Sequence, residues 1–270
     1  KAAIVHIDID RAEIDKNVLT DHHVIGSARR VLEMLNKDLP QYDHKEWKEY
    51  ILAMKEHFEA GEDETLTPQQ IMETVRSKMP ADTMVATDVG QHQMWSIQHF
   101  HFSYPGQLLT SGGFGTMGFG LPASMGAKLG CPDKQVILFT GDGSIMMCCQ
   151  EFATLHRYGI PVKVFVLHNN VLGMVNQWQR LFFGGRESQS IVKDLVDFPA
   201  MGQAMGVEGM KVSDPKKLDS VVKAALESKE SVLVDVAIPN DENVFPMVPG
   251  GKHLDQMILV QVFSSGHHGE

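Results

Sequence analysis

"LFTGDGSIMMCCQEFATLHRYGIPVKVFVLHNN" occupies residues 138–170, and its reading decides the architecture. An apolar run ends in Gly141-Asp142-Gly143. A helical stretch, "IMMCCQEFATLHRYG" (145–159), follows and is stopped by Gly159 and Pro161. A second apolar run, "VKVFVLH" (162–168), ends in Asn169-Asn170. Strand, helix, strand in this order reads as one parallel crossover unit. Parallel sheets take ligands beyond the carboxyl ends of their strands, where strand order reverses. Asp142 lies at one such end and Asn169 at another, with 26 residues between them, so neighbouring strands bring the two side chains together. A carboxylate oxygen beside an amide oxygen suits Mg²⁺, which prefers hard oxygen ligands and shares its shell with phosphates. Gly141 and Gly143 admit close backbone approach, and the N–H groups of Gly143 and Ser144 open the next helix, where an anion is favoured. Metal and helix terminus together read as a diphosphate cradle. Taken alone, "GDGS" is equally a β-to-α turn, since Gly and Asp are ordinary turn residues. In this order, with 25 residues between Gly143 and Asn169, the pair is far more specific.

Working outward, the same alternation continues. "TPQQIMETVRSKM" (67–79) predicts a helix with Thr67 as N-cap and Pro68 at its first position. "TMVATDVG" (83–90) is a short strand running into a turn that Asp88 helps to form, and "GGFGTMGFGLPASMGAKLG" (112–130) is glycine-dense and turns helical near its end. "PKKLDSVVKAALESK" (215–229) is a helix and "SVLVDVAI" (231–238) a final strand. Strands alternating with helices over 65–240 predict an α/β fold with a doubly wound parallel sheet. Before it, "AAIVHIDID" (2–10) reads as a buried strand and "RAEIDKN" (11–17) as a turn. "SARRVLEMLNKDL" (27–39) and "HKEWKEYILAMKEHFEA" (44–60) have helical spacing. The acidic "GEDETLTP" (61–68) places a domain boundary near residue 64. The expected organisation is a short tail of a preceding α/β domain (1–64), the main domain (65–262) and a terminal tail (263–270). A chain that opens inside a strand reads as a piece of a longer protein.

Composition narrows the function classes. The chain of 270 residues is 43% hydrophobic, enough for one large core. A formal net charge of −10 without a basic stripe argues against nucleic acid as a partner. Three cysteines, with Cys148 and Cys149 adjacent, make no disulfide framework and point to a reducing, cytoplasmic setting. No apolar run approaches the roughly 18 residues of a membrane span, and no signal peptide is recognisable.

The Gly-Asp-Gly to Asn spacing resembles the signature of the thiamine-diphosphate enzymes. "TDVGQHQMW" (87–95), "TSGGFGTMGFGLPASMGAK" (110–128), "LGMVNQWQ" (172–179) and "FPMVPGGKHLDQMI" (245–258) make the chain similar to the catalytic subunit of the acetohydroxyacid synthase (acetolactate synthase) family over residues 2–258. The resemblance implies Mg²⁺ ligation by Asp142, Asn169 and the main-chain oxygen of Val171. It implies a second diphosphate-binding loop carrying Gln91 and His92, whose amide and imidazole donate to phosphate. It implies that Gly115 and its neighbours lie against the aminopyrimidine, and that Met117 props the cofactor into a V shape; by itself a methionine there is equally core filler. Met174 and Trp178, four residues apart, form one apolar helical face on their own spacing. By resemblance they line the substrate channel, with Trp178 favouring 2-ketobutyrate over pyruvate.

His168 departs from the family's first Asn and is expected to be a neutral histidine donating to nearby backbone. Cys148 is another departure, expected to pack the helix. Residues 2–25 resemble the end of the family's FAD-binding domain, with Asp8 and Asp10 as candidate contacts to a structural flavin. The activating glutamate, in the family, sits on an N-terminal domain and reaches the cofactor across a dimer interface. No matching motif occurs here, Glu151 reading as structural, so the chain is expected to be half of an active site and inactive alone. The implied whole enzyme decarboxylates pyruvate and condenses the product with pyruvate or 2-ketobutyrate, for valine and isoleucine synthesis. It would be a homodimer or tetramer with a candidate small regulatory subunit. Two other readings stay open: a different thiamine-diphosphate decarboxylase, oxidase or carboligase, and a non-catalytic cofactor-binding module.

Overall fold

The computed structural model describes residues 2–56, 65–193 and 196–259. The chain divides into two units, Lys1–Glu59 and Ala60–Glu270. The boundary expected near residue 64, the end of the 44–60 helix and the 263–270 tail fall outside the described residues.

In the first unit, β1 (Val5–Asp8) pairs in parallel with β2 (His22–Ile25), and α1 (Ala28–Asp38) and α2 (Lys45–Glu56) follow. The stretch 2–10 is therefore a strand over four residues, but it is not buried: Val5 is 57% exposed and the rest of β1 half-buried. The reason is that β2 is its sole described sheet partner. Among the described residues, the buried apolar side chains begin at Leu66, in the other unit.

The second unit runs α3 (Pro68–Ser77), β3 (Met84–Thr87), α4 (Gln91–His99), β4 (Leu108–Leu109), α5 (Gly120–Gly130), β5 (Val136–Gly141), α6 (Asp142–Ile145), α7 (Glu151–Tyr158), β6 (Lys163–His168), α8 (Gly173–Phe182), α9 (Phe198–Ala204), β7 (Glu208–Val212), α10 (Pro215–Glu227) and β8 (Val232–Ala237). The strands form one parallel sheet in the order β4-β3-β5-β6-β8-β7, the doubly wound arrangement read from the sequence. After β3 the chain moves out to β4, then returns to the opposite side of β3 as β5. Strand order thus reverses between β3 and β5, and the crevice beyond their carboxyl ends is where such folds bind ligands.

Alternation along the central strands fills two layers, as expected of a parallel sheet covered on both faces. Ile137 and Phe139 of β5 point towards Ile71, Trp95 and Val222, whereas Val136 and Leu138 point towards Leu121, Phe152 and Phe198. Thr67 caps α3 in a reciprocal box with Gln70, whose N–H donates to Thr67 Oγ1 at 3.2 Å.

Three local expectations change. The 145–159 helix is broken: α6 is a single turn, residues 146–150 form successive turns closed by i→i+3 bonds such as Cys148 N–H to Ile145 O, and α7 starts at Glu151. The glycine-rich loop packs against this turn: a Cβ on Gly118 would lie 3.0 Å from Met147 Cβ. The short strands β2, β4 and β7 and helix α9 carry too little periodicity to read alone; β7 is a sheet edge with Glu208 and Lys211 exposed. Gln91 and His92, expected on a loop, open α4.

Phe165, fully buried in mid-β6 with its ring centroid 5.7 Å from that of Phe139, tests the sheet's load. Phe165→Ala is expected to cost about 3–5 kcal/mol in urea unfolding. Leu19→Ala, at an 81% exposed position, should change stability by no more than about 0.5 kcal/mol.

Candidate functional site

β5 and β6 pair with Gly141 opposite Leu167, so the residues leaving both strands emerge side by side. Asp142 is 3% exposed and Asn169 5%. The Asn170 N–H donates to Asp142 Oδ2 at 2.7 Å, and the Gly143 N–H donates to Asp142 Oδ1 at 2.8 Å. Asn170 takes a left-handed conformation (φ 61°), which asparagine tolerates better than most residues and which turns its N–H back to the carboxylate. Burial raises the Asp142 pKa above the usual carboxylate range, while these N–H groups and His168 pull it down. The Gly143 N–H, expected to face an anion, is thus engaged by the carboxylate itself.

These groups face a cavity of about 400 Å³. Gly141, Asp142, Gly143 and Ser144 form one wall, and Asn169, Val171 and Met174 another. Gln91 and His92 come from the start of α4, Gly115 and Met117 from the glycine-rich loop, and Trp178 from the outer part of α8. Every residue that sequence reading assigned to the second unit's site therefore lines one cavity. Asp8 and Asp10 belong to the first unit, where Asp8 Oδ1 accepts the Asp10 N–H (2.8 Å) and Asp10 Oδ1 the Ala12 N–H (2.9 Å).

Gln91 behaves differently from expectation. Its Nε2 donates to Gln177 Oε1 and to the Glu242 carbonyl, each at 3.0 Å, and its Oε1 accepts from Asn169 Nδ2 at 3.2 Å. Both amide hydrogens are spent, so the side chain orients Asn169 instead of offering a free donor. Gln177, 1% exposed, is in turn held by the Val244 N–H (2.9 Å) and carbonyl (3.1 Å). Sequence reasoning missed Gln177, whose only signal was its place in "MVNQWQ".

His92 Nε2 is buried and has no hydrogen-bond partner among the described residues. Desolvation pushes the ring's pKa down to about 3, partly offset by a hydrogen bond to the main chain of Asp88. A neutral imidazole with an unpaired buried nitrogen is an exception among buried polar atoms and calls for a reason. The glycines beside it are needed for space: a Cβ on Gly141 would lie 3.0 Å from His92 Nδ1, and one on Gly143 2.7 Å from Leu172 Cδ2.

His168 corrects a second expectation. Its ring meets side chains, not backbone: Nδ1 lies 2.9 Å from Asp235 Oδ1 and Nε2 3.1 Å from Asn170 Oδ1, with Asp142 Oδ2 3.9 Å away. The Asp235 contact raises its pKa above the ordinary histidine value despite burial. Cys148 packs in the core and burial pushes its thiol up to about 12, making it inert, and the three cysteines are free. Glu151 lies on α7, where its carboxylate accepts from Thr154 Oγ1 (2.8 Å).

Among the described residues, no three His, Cys, Asp or Glu side chains gather as a metal cluster. A cation at this site would find one carboxylate, one amide oxygen and one main-chain oxygen, a set that suits Mg²⁺ shared with a phosphate. The donor set, the unpartnered His92 and the glycine walls all fit a metal-bound diphosphate ligand.

A doubly wound sheet with such a site at its switch point belongs to the class of α/β domains that bind phosphate-bearing ligands beyond their strand ends. Residues 88–236 match the family described as thiamine pyrophosphate enzyme, C-terminal TPP binding domain, and the chain belongs to that family. It is 40% identical over 95% of its length to the acetolactate synthase large subunit of Lactococcus lactis, covering 45% of that protein. It is 39% identical to the acetolactate synthase isozyme 3 large subunit of Escherichia coli K12, with 96% of this chain and 47% of the relative covered. It is 38% identical to the probable acetolactate synthase large subunit of Methanocaldococcus jannaschii, with 96% and 46% covered. The chain thus spans about half the length of these relatives.

The histidine makes a pH prediction. With a folded pKa about 3 and an ordinary value of 6.5, the unfolded chain binds more protons than the folded one between those limits. His92 therefore contributes stability that is present above pH 6.5 and lost as pH falls towards 3. The difference in unfolding free energy between wild type and His92→Asn should decline across that window; a flat difference would show that the ring is not held neutral.

Proposed function

We propose that this chain is the diphosphate-binding half of an acetolactate synthase. The whole enzyme would decarboxylate pyruvate and join the two-carbon unit to a second pyruvate or to 2-ketobutyrate, serving branched-chain amino acid synthesis. The observation that carries the reading is the convergence of Asp142, Asn169, His92 and Met117 on one cavity at the strand ends. Identity of about 40% to acetolactate synthase large subunits along nearly the whole chain supports it. Thiamine diphosphate, when bound, would supply a nucleophilic thiazolium carbon and an electron sink for 2-ketoacid decarboxylation.

The chain's own residues supply binding and geometry. Asp142, Asn169 Oδ1 and the Val171 carbonyl would hold Mg²⁺, with Gln91 setting the Asn169 amide. The Ser144 end of α6 would meet the diphosphate oxygens, and His92 would donate to them in the tautomer that carries its proton on Nε2. Gly115 and Met117 would shape the aminopyrimidine side, Met117 as the prop. Met174 and Trp178 form an apolar wall at the mouth, suited to a short alkyl chain on the second substrate. The activating carboxylic acid would come from the part of the enzyme outside this chain, across a dimer or tetramer contact. FAD would be a structural cofactor of the intact enzyme, with Asp8 and Asp10 near it, and a small regulatory subunit fits the large-subunit names of the relatives. Free cysteines suit a cytoplasmic setting, and no described helix is long and apolar enough to cross a membrane.

Asp142→Ala should raise the Kd for thiamine diphosphate in Mg²⁺ by about 100-fold or more, since about 2.7 kcal/mol is a modest value for a lost metal carboxylate. Unchanged affinity by calorimetry would overturn the metal assignment. In the full-length enzyme, Trp178→Leu should lower the preference for 2-ketobutyrate over pyruvate by about tenfold, the scale of one methylene in an apolar pocket. An unchanged product ratio in competition assays would leave Trp178 as packing.

A further inference from the structure

We propose that Asp88 is a positioning residue that aims Met117 into the cofactor cavity by gripping the glycine-rich turn on both sides of Phe119. The inference rests on the thiamine diphosphate reading of the cavity and adds to it a residue that does not itself line the site.

Asp88 follows β3 directly and is fully buried. Among the described residues it takes part in no ion pair of the kind that accompanies Asp142, Asp235 or Glu187. Its carboxylate accepts main-chain N–H groups instead. Oδ1 takes those of Val89 (2.9 Å) and Gly118 (2.8 Å), and Oδ2 takes that of Gly120 (3.2 Å). Burying a carboxylate without a cation is costly, and a threonine or asparagine would end the strand at lower expense. What a carboxylate adds is two acceptor oxygens, which can serve two points of a turn at once; an asparagine has one.

The N–H of Gly118 belongs to the peptide plane that carries the Met117 carbonyl, so holding it sets the Met117 backbone. Gly118 has φ +94°, and a Cβ on Gly120 would lie 2.6 Å from Leu138 Cδ1 and 2.9 Å from the Asp88 nitrogen. Both glycines are therefore required by the same grip. The far end of the side chain lies beside the acidic turn: Met117 Cε is within 3.8 Å of the point where a Gly143 Cβ would stand. Ser144 Oγ donates to the Val89 carbonyl at 2.7 Å, tying the same strand end to α6. Asp88 thus sets the spacing between prop and cradle.

Inorganic diphosphate tests the cradle alone and thiamine diphosphate tests cradle and prop together. Kd values for both are read by calorimetry in Mg²⁺ on the 270-residue chain, for wild type, Asp88→Asn, Met117→Ala and the double variant. Asp88→Asn should weaken thiamine diphosphate about tenfold, the scale of one unsatisfied buried group, and inorganic diphosphate less than about twofold. In the Met117→Ala background, Asp88→Asn should add less than about twofold, because the residue acts through Met117. Equal weakening of both ligands, or additive losses, overturns the proposal. Amide hydrogen exchange in the wild type is the arm that needs no variant to fold: Gly118 and Gly120 should exchange slowly, and exchange at free-peptide rates overturns the grip. A wild-type chain that binds neither ligand overturns the thiamine diphosphate reading instead, and the exchange arm then decides whether the clamp exists.

Discussion

The hydrogen bond from the Asn170 N–H to Asp142 Oδ2 holds together the ends of β5 and β6, and the rest of the site depends on it. Ladder pairing brings the strands to Gly141 and Leu167 and stops there. Beyond that point the two chains separate, one into α6 and the other towards α8, and no regular structure keeps them adjacent. The carboxylate bridges the gap by accepting from both: its own turn through Gly143 and the neighbouring strand end through Asn170. Asn169, next in sequence, is thereby delivered to the same wall. A charge-assisted bond of this kind is stronger than a neutral one, which is what a junction without ladder bonds requires.

Around this junction the protein buries polar groups and satisfies them with one another. Asn169 leans on Gln91, Gln91 on Gln177, and Gln177 on the main chain of Val244. His168 lies between Asn170 and Asp235, and Lys211 approaches Asp235 from the surface at 3.4 Å. Each amide in such a chain fixes the flip of the next, so the orientation of Asn169 is set by contacts well outside the cavity. Partly satisfied networks of this type are costly, and fully satisfied ones select a single arrangement. The exception is His92 Nε2, which is buried without a partner among the described residues.

The electrostatics follow the same local logic. A chain with net charge −10 attracts no anion through its overall field. Asp142 and Asp88 add buried negative charge close to the cavity, and desolvation raises both pKa values. An anionic cofactor can approach such a wall only with a cation between them.

The order of elements, the parallel sheet, the strand-end placement of Asp142 and Asn169 and the cap at Thr67 were legible in the sequence, because each follows from local pattern and short-range chemistry. Twelve residues assigned to the main domain's site line one cavity; the Gly-Asp-Gly turn, Ser144 and Asn169 were read from strand ends, and the rest came from the resemblance to a family. What could not be read was decided by partners remote in the chain. Strand β1 has the pattern of a buried strand yet stays half-buried at best, since burial needs a covering layer and pattern alone supplies none. The break between α6 and α7 faces the glycine-rich loop, where a Cβ on Gly118 would lie 3.0 Å from Met147 Cβ, between segments 29 residues apart. Gln91 looked like a free donor and His168 like a backbone donor until Gln177 and Asp235, 86 and 67 residues away, claimed them. Sequence determines which groups are available at each strand end; which of their hydrogen bonds remain open to a ligand is a property of the packed structure, because every buried donor and acceptor must first be satisfied by whatever the fold brings next to it.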